Sequence, residues 1–254
     1  MSKNQLENLE TNRNTQEHID FYSQMAQLME QSKLSHFELM QEFPVFATRQ
    51  QVTYFIERYE LYKKIINIPG SIIELGVAGG FGLMSFAHFC SIFEPTHYVR
   101  KIYGFDTFEG FPELDQNDLS SSAAHMKKGG LKFDSYDYLK KIIPLYDKNR
   151  FLSHLPKIEL IKGDASLCID EFLKNNPSLV IAMLYLDVDL YQPTKTALEK
   201  LVSRIPKGGV IVFDELNHPD YPGETIAVSE VIGINNLNLR RLEFSSMAAY
   251  AVME

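Results

Sequence analysis

The chain has 254 residues, which suits one α/β domain with room for an N-terminal extension. Its 45% hydrophobic share supplies a sizeable core, and a net charge of −8 with scattered basic residues argues against a nucleic-acid groove or an anionic membrane surface as partner. No apolar run approaches the ~20 residues that span a bilayer. The polar opening MSKNQLENLETNRN also lacks the apolar stretch of a signal peptide, so a cytoplasmic location is expected. Cys90 and Cys168 are the only cysteines, both in apolar helical patterns, and are expected to be reduced, buried thiols.

In chain order, residues 1 to about 15 are polar and expected to fray. From Glu17 to about Ile66 the pattern is helical, with Ile19, Tyr22, Ala26 and Met29 on one face and Phe55, Tyr59 and Tyr62 on another; Pro44 separates the two stretches. This extension, residues 1–68, has too little apolar surface to stand alone. It is expected to pack on the main domain, residues 69–254, or on a second subunit, so a homo-oligomer, most simply a dimer, is expected.

After the turn signal Pro69-Gly70, strands are expected at Ser71–Val77, Lys101–Thr107, Ile158–Asp164, Ile181–Asp187 and Gly209–Glu215. Helical patterns fall between them at Gly82–Ser91, Ser166–Asn175, Thr194–Ile205 and Thr225–Asn235. Such alternation means βαβ units and a parallel sheet. The tail, Leu239–Phe244 and Ala248–Glu254, reads as a closing antiparallel hairpin. One connection breaks the rhythm. Residues of about 108–157 hold a polar stretch and a helix near Tyr136–Ile143, a length that marks an active-site lid, with Gly129-Gly130 as its hinge, or else a disordered connection.

The first strand runs into ELGVAGGFG, where Gly76, Gly79, Gly80 and Gly82 form a turn ahead of a helix. Glycine lets backbone approach a nucleotide-like ligand there, although a merely tight βα turn reads the same way. The dinucleotide GxGxxG and the phosphate-gripping GxxxxGK[ST] patterns are absent. Asp106 ends the second strand and suits two ribose hydroxyls, or it caps a helix. The third strand runs into KGDA, where Asp164, beside Ala165, either meets an adenine amino group or caps the next helix. Together these strand ends outline an adenosine pocket that fits a nicotinamide cofactor or S-adenosylmethionine equally well.

Two acidic pairs divide those readings. Asp187 and Asp189 follow IAMLYL, and Asp214 and Glu215 follow VIVF. Both runs read as strands buried on two faces, so the four carboxylates converge at the crevice where open α/β sheets bind ligands. They repel one another unless a cation or shared protons relieve them. That points to a hard-metal site with a general base, suited to lowering the pKa of a substrate hydroxyl. A nicotinamide-dependent oxidoreductase leaves the pairs unexplained, and a non-catalytic cofactor-binding or scaffold protein has no need of them. Among the histidines, His218, just beyond Glu215, reads as a surface loop residue or as one facing the acceptor, His125 as a lid residue within reach of substrate or not, and His154 as a surface residue. Tyr191 reads as the start of a helix against the sheet.

ELGVAGG, GFDTFEGFPE, LDVDLYQPTKTALE and PKGGVIVFDELN resemble the macrocin O-methyltransferase (TylF/MycF-like) family of bacterial sugar methyltransferases, over a span from about Gly70 to the C-terminus. The resemblance implies a Rossmann-like class I methyltransferase sheet of seven strands, the last antiparallel. It implies S-adenosylmethionine contacts at Glu74, Gly76, Asp106 and Asp164, with the neighbouring Gly79 and Ala165. It further implies Mg2+ ligands at Asp187, Asp214 and Glu215, Asp189 as general base, and a sugar-containing small molecule as substrate. Relatives commonly have two aspartates where this chain has Asp214-Glu215, and a basic residue where it has Glu224.

Overall fold

In the computed structural model, residues 15–119 and 123–254 are described; the expected fraying at the start and three residues of the expected lid, 120–122, lie outside them. The chain divides into two compact units, Met1–Tyr54 and Phe55–Glu254. The first holds α1 (Gln16–Gln31), α2 (His36–Gln41), α3 (Phe43–Phe46) and the start of α4 (Arg49–Ile65). Ser35 opens α2 with a capping box: its side chain accepts from the Glu38 N–H, and the Glu38 carboxylate accepts from the Ser35 N–H at 2.8 Å. The division falls inside α4, before the 68/69 boundary expected from Pro69-Gly70. The later turns of α4 bury Leu61, Tyr62 and Ile65 in the second unit's core, which outweighs the turn signal.

In the second unit the apolar runs become β1 (Ser71–Leu75), β2 (Ile102–Asp106), β3 (Ile158–Lys162), β4 (Ile181–Leu186) and β5 (Val210–Phe213). β1, β4 and β5 are buried at every position, as continuous apolar runs require when helices cover both sheet faces. The intervening helices are α5 (Phe81–Phe93), α6 (Tyr136–Lys148), α7 (Ala165–Asn175), α8 (Tyr191–Leu201) and α9 (Pro222–Val231). A short hairpin, β6 (Arg240–Arg241) and β7 (Ala249–Val252), closes the sheet. The strand order is β3-β2-β1-β4-β5-β7-β6, with β1 to β5 parallel and β7 antiparallel to β5. This is the class I methyltransferase sheet that the motifs implied.

Alternation along each strand sorts side chains into two cores. Ile72, Ile102, Tyr185 and Val212 pack with Leu61 and Tyr62 of α4 and Leu83 and Phe86 of α5. Ile73, Phe105, Leu186 and Phe213 pack with Ile169 of α7, Leu198 of α8 and Val228 of α9. The chain runs outward from β1 through β2 to β3, then returns to β4 on the other side of β1. The β1/β4 boundary is therefore the topological switch point, where open α/β sheets leave a ligand crevice at the strands' carboxyl ends.

Three local expectations change. α6 continues through Pro144 to Lys148 instead of stopping at Ile143. The hydroxyl of Tyr146, beyond the proline, bonds the Ala87 carbonyl and Ser91, anchoring a turn that has lost one N–H. Gly129-Gly130 is pinned and does not form an open hinge: Gly129 donates to the Phe111 carbonyl at 2.8 Å, and Phe111 donates to that of Gly130 at 2.9 Å. Cys90 is buried as expected, while Cys168 is only partly buried; both are free thiols.

Candidate active site

β1 ends beside β4, and the approach dictates Gly76. Its φ is +90°, and a Cβ there would lie 1.6 Å from the Asp187 carbonyl oxygen. Asp187 donates its N–H to the Leu75 carbonyl at 2.9 Å, and Asp214 donates to the Leu186 carbonyl at 3.0 Å. These ladder bonds set the two aspartates on adjacent strand ends at the switch point. Asp187, Asp214 and Glu215 each bring one carboxylate oxygen within 4.8 Å of the others. Asp189 follows with φ +60°, a left-handed conformation that aspartate adopts more readily than most residues with a side chain.

The electrostatics match the crowding foreseen from the sequence and exceed it. Asp187 keeps 32% of its side-chain surface open. Even so, desolvation first, and then repulsion from Asp214 and Asp189, hold its carboxyl well above the ordinary range. Glu215 is buried and displaced in the same direction by burial, Asp189 and Asp214. Among the described residues its Oε2 has no hydrogen-bond partner. Three clustered carboxylates with an unsatisfied buried oxygen are a donor set that fits a hard divalent cation, which takes oxygen ligands.

The sequence reading missed several groups here and marked Glu224 only as a departure from the family's pattern. Glu224 lies in the first turn of α9 and is fully buried; its Oε1 accepts from the Glu215 N–H at 3.1 Å. Burial, with Asp214 and Asp189, pushes its pKa well up as well. Its place at the head of a helix follows Pro222, a residue suited to the first helical position, so α9 starts earlier than periodicity indicated. Arg58, expected only as part of a packed helix, reaches the cluster with Nη2 3.7 Å from Asp187 Oδ2 and Nη1 2.8 Å from Glu57 Oε1. Tyr185 donates to Asp214 Oδ1 at 2.6 Å. A charged Glu-Arg pair inside an aromatic helical pattern is the only local signal that could have marked α4 as more than core.

The candidate cofactor residues divide. Glu74 is buried beneath the start of α5, where it accepts from the Leu83 N–H; a Cβ on Gly82 would meet its Oε1 at 1.9 Å. Burial, opposed by Arg58 and reinforced by Asp106 and Asp214, raises its pKa to about 8. Asp106 turns toward the glycine loop: Oδ2 accepts from Val77 at 2.9 Å and Ala78 at 2.7 Å, and Oδ1 accepts from Phe108 at 2.6 Å. Gly79 lies in that loop, and a Cβ there would find only Phe133, at 4.0 Å. Asp164 caps α7, accepting from Ser166 at 2.8 Å, with Ala165 as the first helical residue.

Around the crevice, His218 is buried, which corrects its reading as a surface loop residue: its ring lies 4.7 Å from that of Tyr221, tilted by 36°. His125, from the expected lid, bonds the Tyr221 hydroxyl at 2.7 Å. Tyr191 does start α8; its N–H is capped by Asp118 at 2.8 Å, a buried aspartate that sequence reasoning passed over.

The family model described as macrocin-O-methyltransferase (TylF) matches residues 57–231. A crystal structure of CalS11, described as a calicheamicin methyltransferase, is 33% identical with a TM-score of 0.89, and the match covers 94% of each chain. The apo structure of CalS11, described as a TDP-rhamnose 3'-O-methyltransferase of calicheamicin biosynthesis, is 32% identical with a TM-score of 0.82, covering 94% of this chain and 96% of that one. A relative from Streptomyces olivaceus, 8-demethyl-8-(2,3-dimethoxy-alpha-L-rhamnosyl)-tetracenomycin-C 4'-O-methyltransferase, is 25% identical over 154 residues, 58% of this chain and 53% of that protein. This chain thus spans about half the length of that relative. The sheet order, the crevice and the family match over most of the chain lead to one conclusion: the chain belongs to the macrocin-O-methyltransferase (TylF) family of S-adenosylmethionine-dependent O-methyltransferases.

Proposed function

We propose that this protein methylates a hydroxyl of a sugar or glycosylated small molecule, using S-adenosylmethionine as donor and Mg2+ at the carboxylate cluster. The observation that carries the reading is the convergence of Asp187, Asp214 and Glu215 at the β1/β4 crevice, with the Glu215 Oε2 unsatisfied among the described residues. The sugar acceptor is supported by the names of the two relatives, a TDP-rhamnose and a rhamnosyl-tetracenomycin methyltransferase. No comparable support exists for the nicotinamide-dependent alternative.

When bound, the donor supplies a methyl group already activated on a sulfonium, and the cation supplies positive charge for the oxyanion that develops. The chain's own part is positioning, proton transfer and exclusion of water. Asp187, Asp214 and Glu215 would hold the cation. Asp189, whose charge acts on the carboxyls of Asp187 and Glu215, would accept the acceptor hydroxyl's proton at a carboxylate oxygen. Glu74, Gly76, Gly79, Asp106, Asp164 and Ala165 would line the donor's side, with Asp106 fixing the glycine loop through the amides of Val77 and Ala78. The residues of about 108–157 would close the crevice from above.

A homodimer and a cytoplasmic location belong to the same proposal. The dimer is supported by large apolar side chains exposed in α1 to α3, among them Leu28, Phe37, Met40 and Phe43. Among the described residues, no helix is long and apolar enough to cross a membrane.

The test is methyl transfer to a panel of nucleotide sugars and glycosides. Turnover is expected to stop on exhaustive chelation and return with Mg2+, and Asp189→Asn is expected to lower kcat by about 10²–10⁴-fold. Turnover that survives chelation removes the metal; calorimetry showing no S-adenosylmethionine binding removes the donor.

A further inference from the structure

Tyr185 sits in β4 with no surface exposed, its ring packed 6.1 Å from that of Phe86. Phenylalanine would fill that space equally well, so the hydroxyl calls for its own explanation. It donates to Asp214 Oδ1 at 2.6 Å and lies 3.4 Å from Glu57 Oε1; a phenol has one proton, and the shorter contact holds it. Strand alternation puts Asp187, two residues on, on the same face of the sheet as Tyr185. Behind the ring lies Arg58, its guanidinium carbon 4.6 Å from the ring centroid. The two ends of that fork address Glu57 at 2.8 Å and Asp187 at 3.7 Å. Of the three clustered carboxylates, Asp214 is thus hydrogen-bonded and Asp187 ion-paired by groups that do not belong to the strand-end loops.

We propose that Tyr185 is a positioning residue of the carboxylate cluster, orienting Asp214, and that Arg58, anchored on Glu57, orients Asp187 in the same way. The inference rests on the metal reading above and goes beyond it by assigning work to α4 and to the interior of β4. Outer partners fix the direction of ligating oxygens, and their removal typically weakens metal affinity about 10–100-fold. Tyr185→Phe removes the hydroxyl alone, leaving the packing on Phe86 and the face that Arg58 covers.

The experiment uses the full-length protein stripped by chelator and titrated with Mn2+, with free Mn2+ followed by electron paramagnetic resonance and heat by calorimetry. Tyr185→Phe is expected to raise the Mn2+ Kd by about tenfold or more. A purely structural hydroxyl would lower the melting temperature of the metal-free protein and leave the Mn2+ Kd within twofold of the unaltered protein, and that result overturns the proposal. Arg58→Lys keeps the charge and loses the fork, so its Kd is expected to rise as well. It carries the test alone if Tyr185→Phe does not fold, with an unchanged Kd again overturning the proposal. Failure of the unaltered protein to bind Mn2+ is a different result: it overturns the metal reading itself, and this inference with it.

Discussion

Glu74→Gln tests whether the charge of the buried glutamate beneath α5 is withheld in the folded protein. Glu74 is 2% exposed, and burial raises its pKa from 4.5 to about 8. In that interval the unfolded chain has released its proton while the folded chain still holds it. Stability therefore falls as pH rises, because the native state binds more protons. The contribution is complete below about pH 4.5 and is lost progressively as pH passes through about 8. Each pH unit in that interval removes about 1.36 kcal/mol, so the whole interval amounts to about 4–5 kcal/mol, an upper figure for a group in contact with other charges. Glutamine has nearly the same shape, its carbonyl oxygen can accept the Leu83 N–H, and it does not titrate. Urea unfolding of both proteins in chelator, at intervals from pH 5 to pH 9, gives the difference directly. The two stabilities are expected to lie close together at pH 5, with the variant gaining steadily until it leads by several kcal/mol near pH 8. Curves that run parallel across the range would refute the reasoning, because they would mean that Glu74 ionises alike in both states.

The other predictions concern backbone and caps. Gly76→Ala sets a Cβ 1.6 Å from the Asp187 carbonyl at φ +90°. Strain and overpacking together are expected to cost about 2–6 kcal/mol by denaturant unfolding, and a loss under about 1 kcal/mol would refute the close approach. Asp164→Ala removes the cap of α7 and is expected to cost about 1 kcal/mol, a fall of about 2–4 °C in melting temperature, whereas Asp164→Asn keeps the cap and most of the stability. Equal losses in the two variants would show that the carboxylate's charge matters there and the cap does not.

The site was legible to unequal degrees, for physical reasons that differ residue by residue. Asp187, Asp214 and Glu215 could be grouped in advance because each ends a strand buried on both faces, and such strands neighbour one another in a parallel sheet. Asp164 was legible only as a pair of alternatives, because a capping aspartate and a ligand-facing aspartate look the same in sequence; here the carboxylate caps. Asp106 stood at the right strand end, but its direction depends on the loop amides of Val77 and Ala78, which local pattern does not reveal. His218 looked like an exposed loop residue because the sequence shows Tyr221 three positions on but not that the turn between them brings its ring against the imidazole.

By itself the sequence determined the elements and their order, since burial on one face or two leaves a period of two, a period of 3.6 or an unbroken apolar run. It also placed the acidic pairs at strand ends, because a strand stops where its apolar run stops. Only the tertiary structure decided which groups would meet those pairs. Arg58 and Glu57 come from a helix more than a hundred residues earlier, Tyr185 reads as one more apolar strand residue, and Glu224 opens a later helix. The contacts from α4 and between β4 and β5 leave no periodic trace in the chain; they exist because the sheet order puts β4 between β1 and β5 and because α4 packs across that face, while Glu224, nine residues after Glu215, is brought back by the turn into α9.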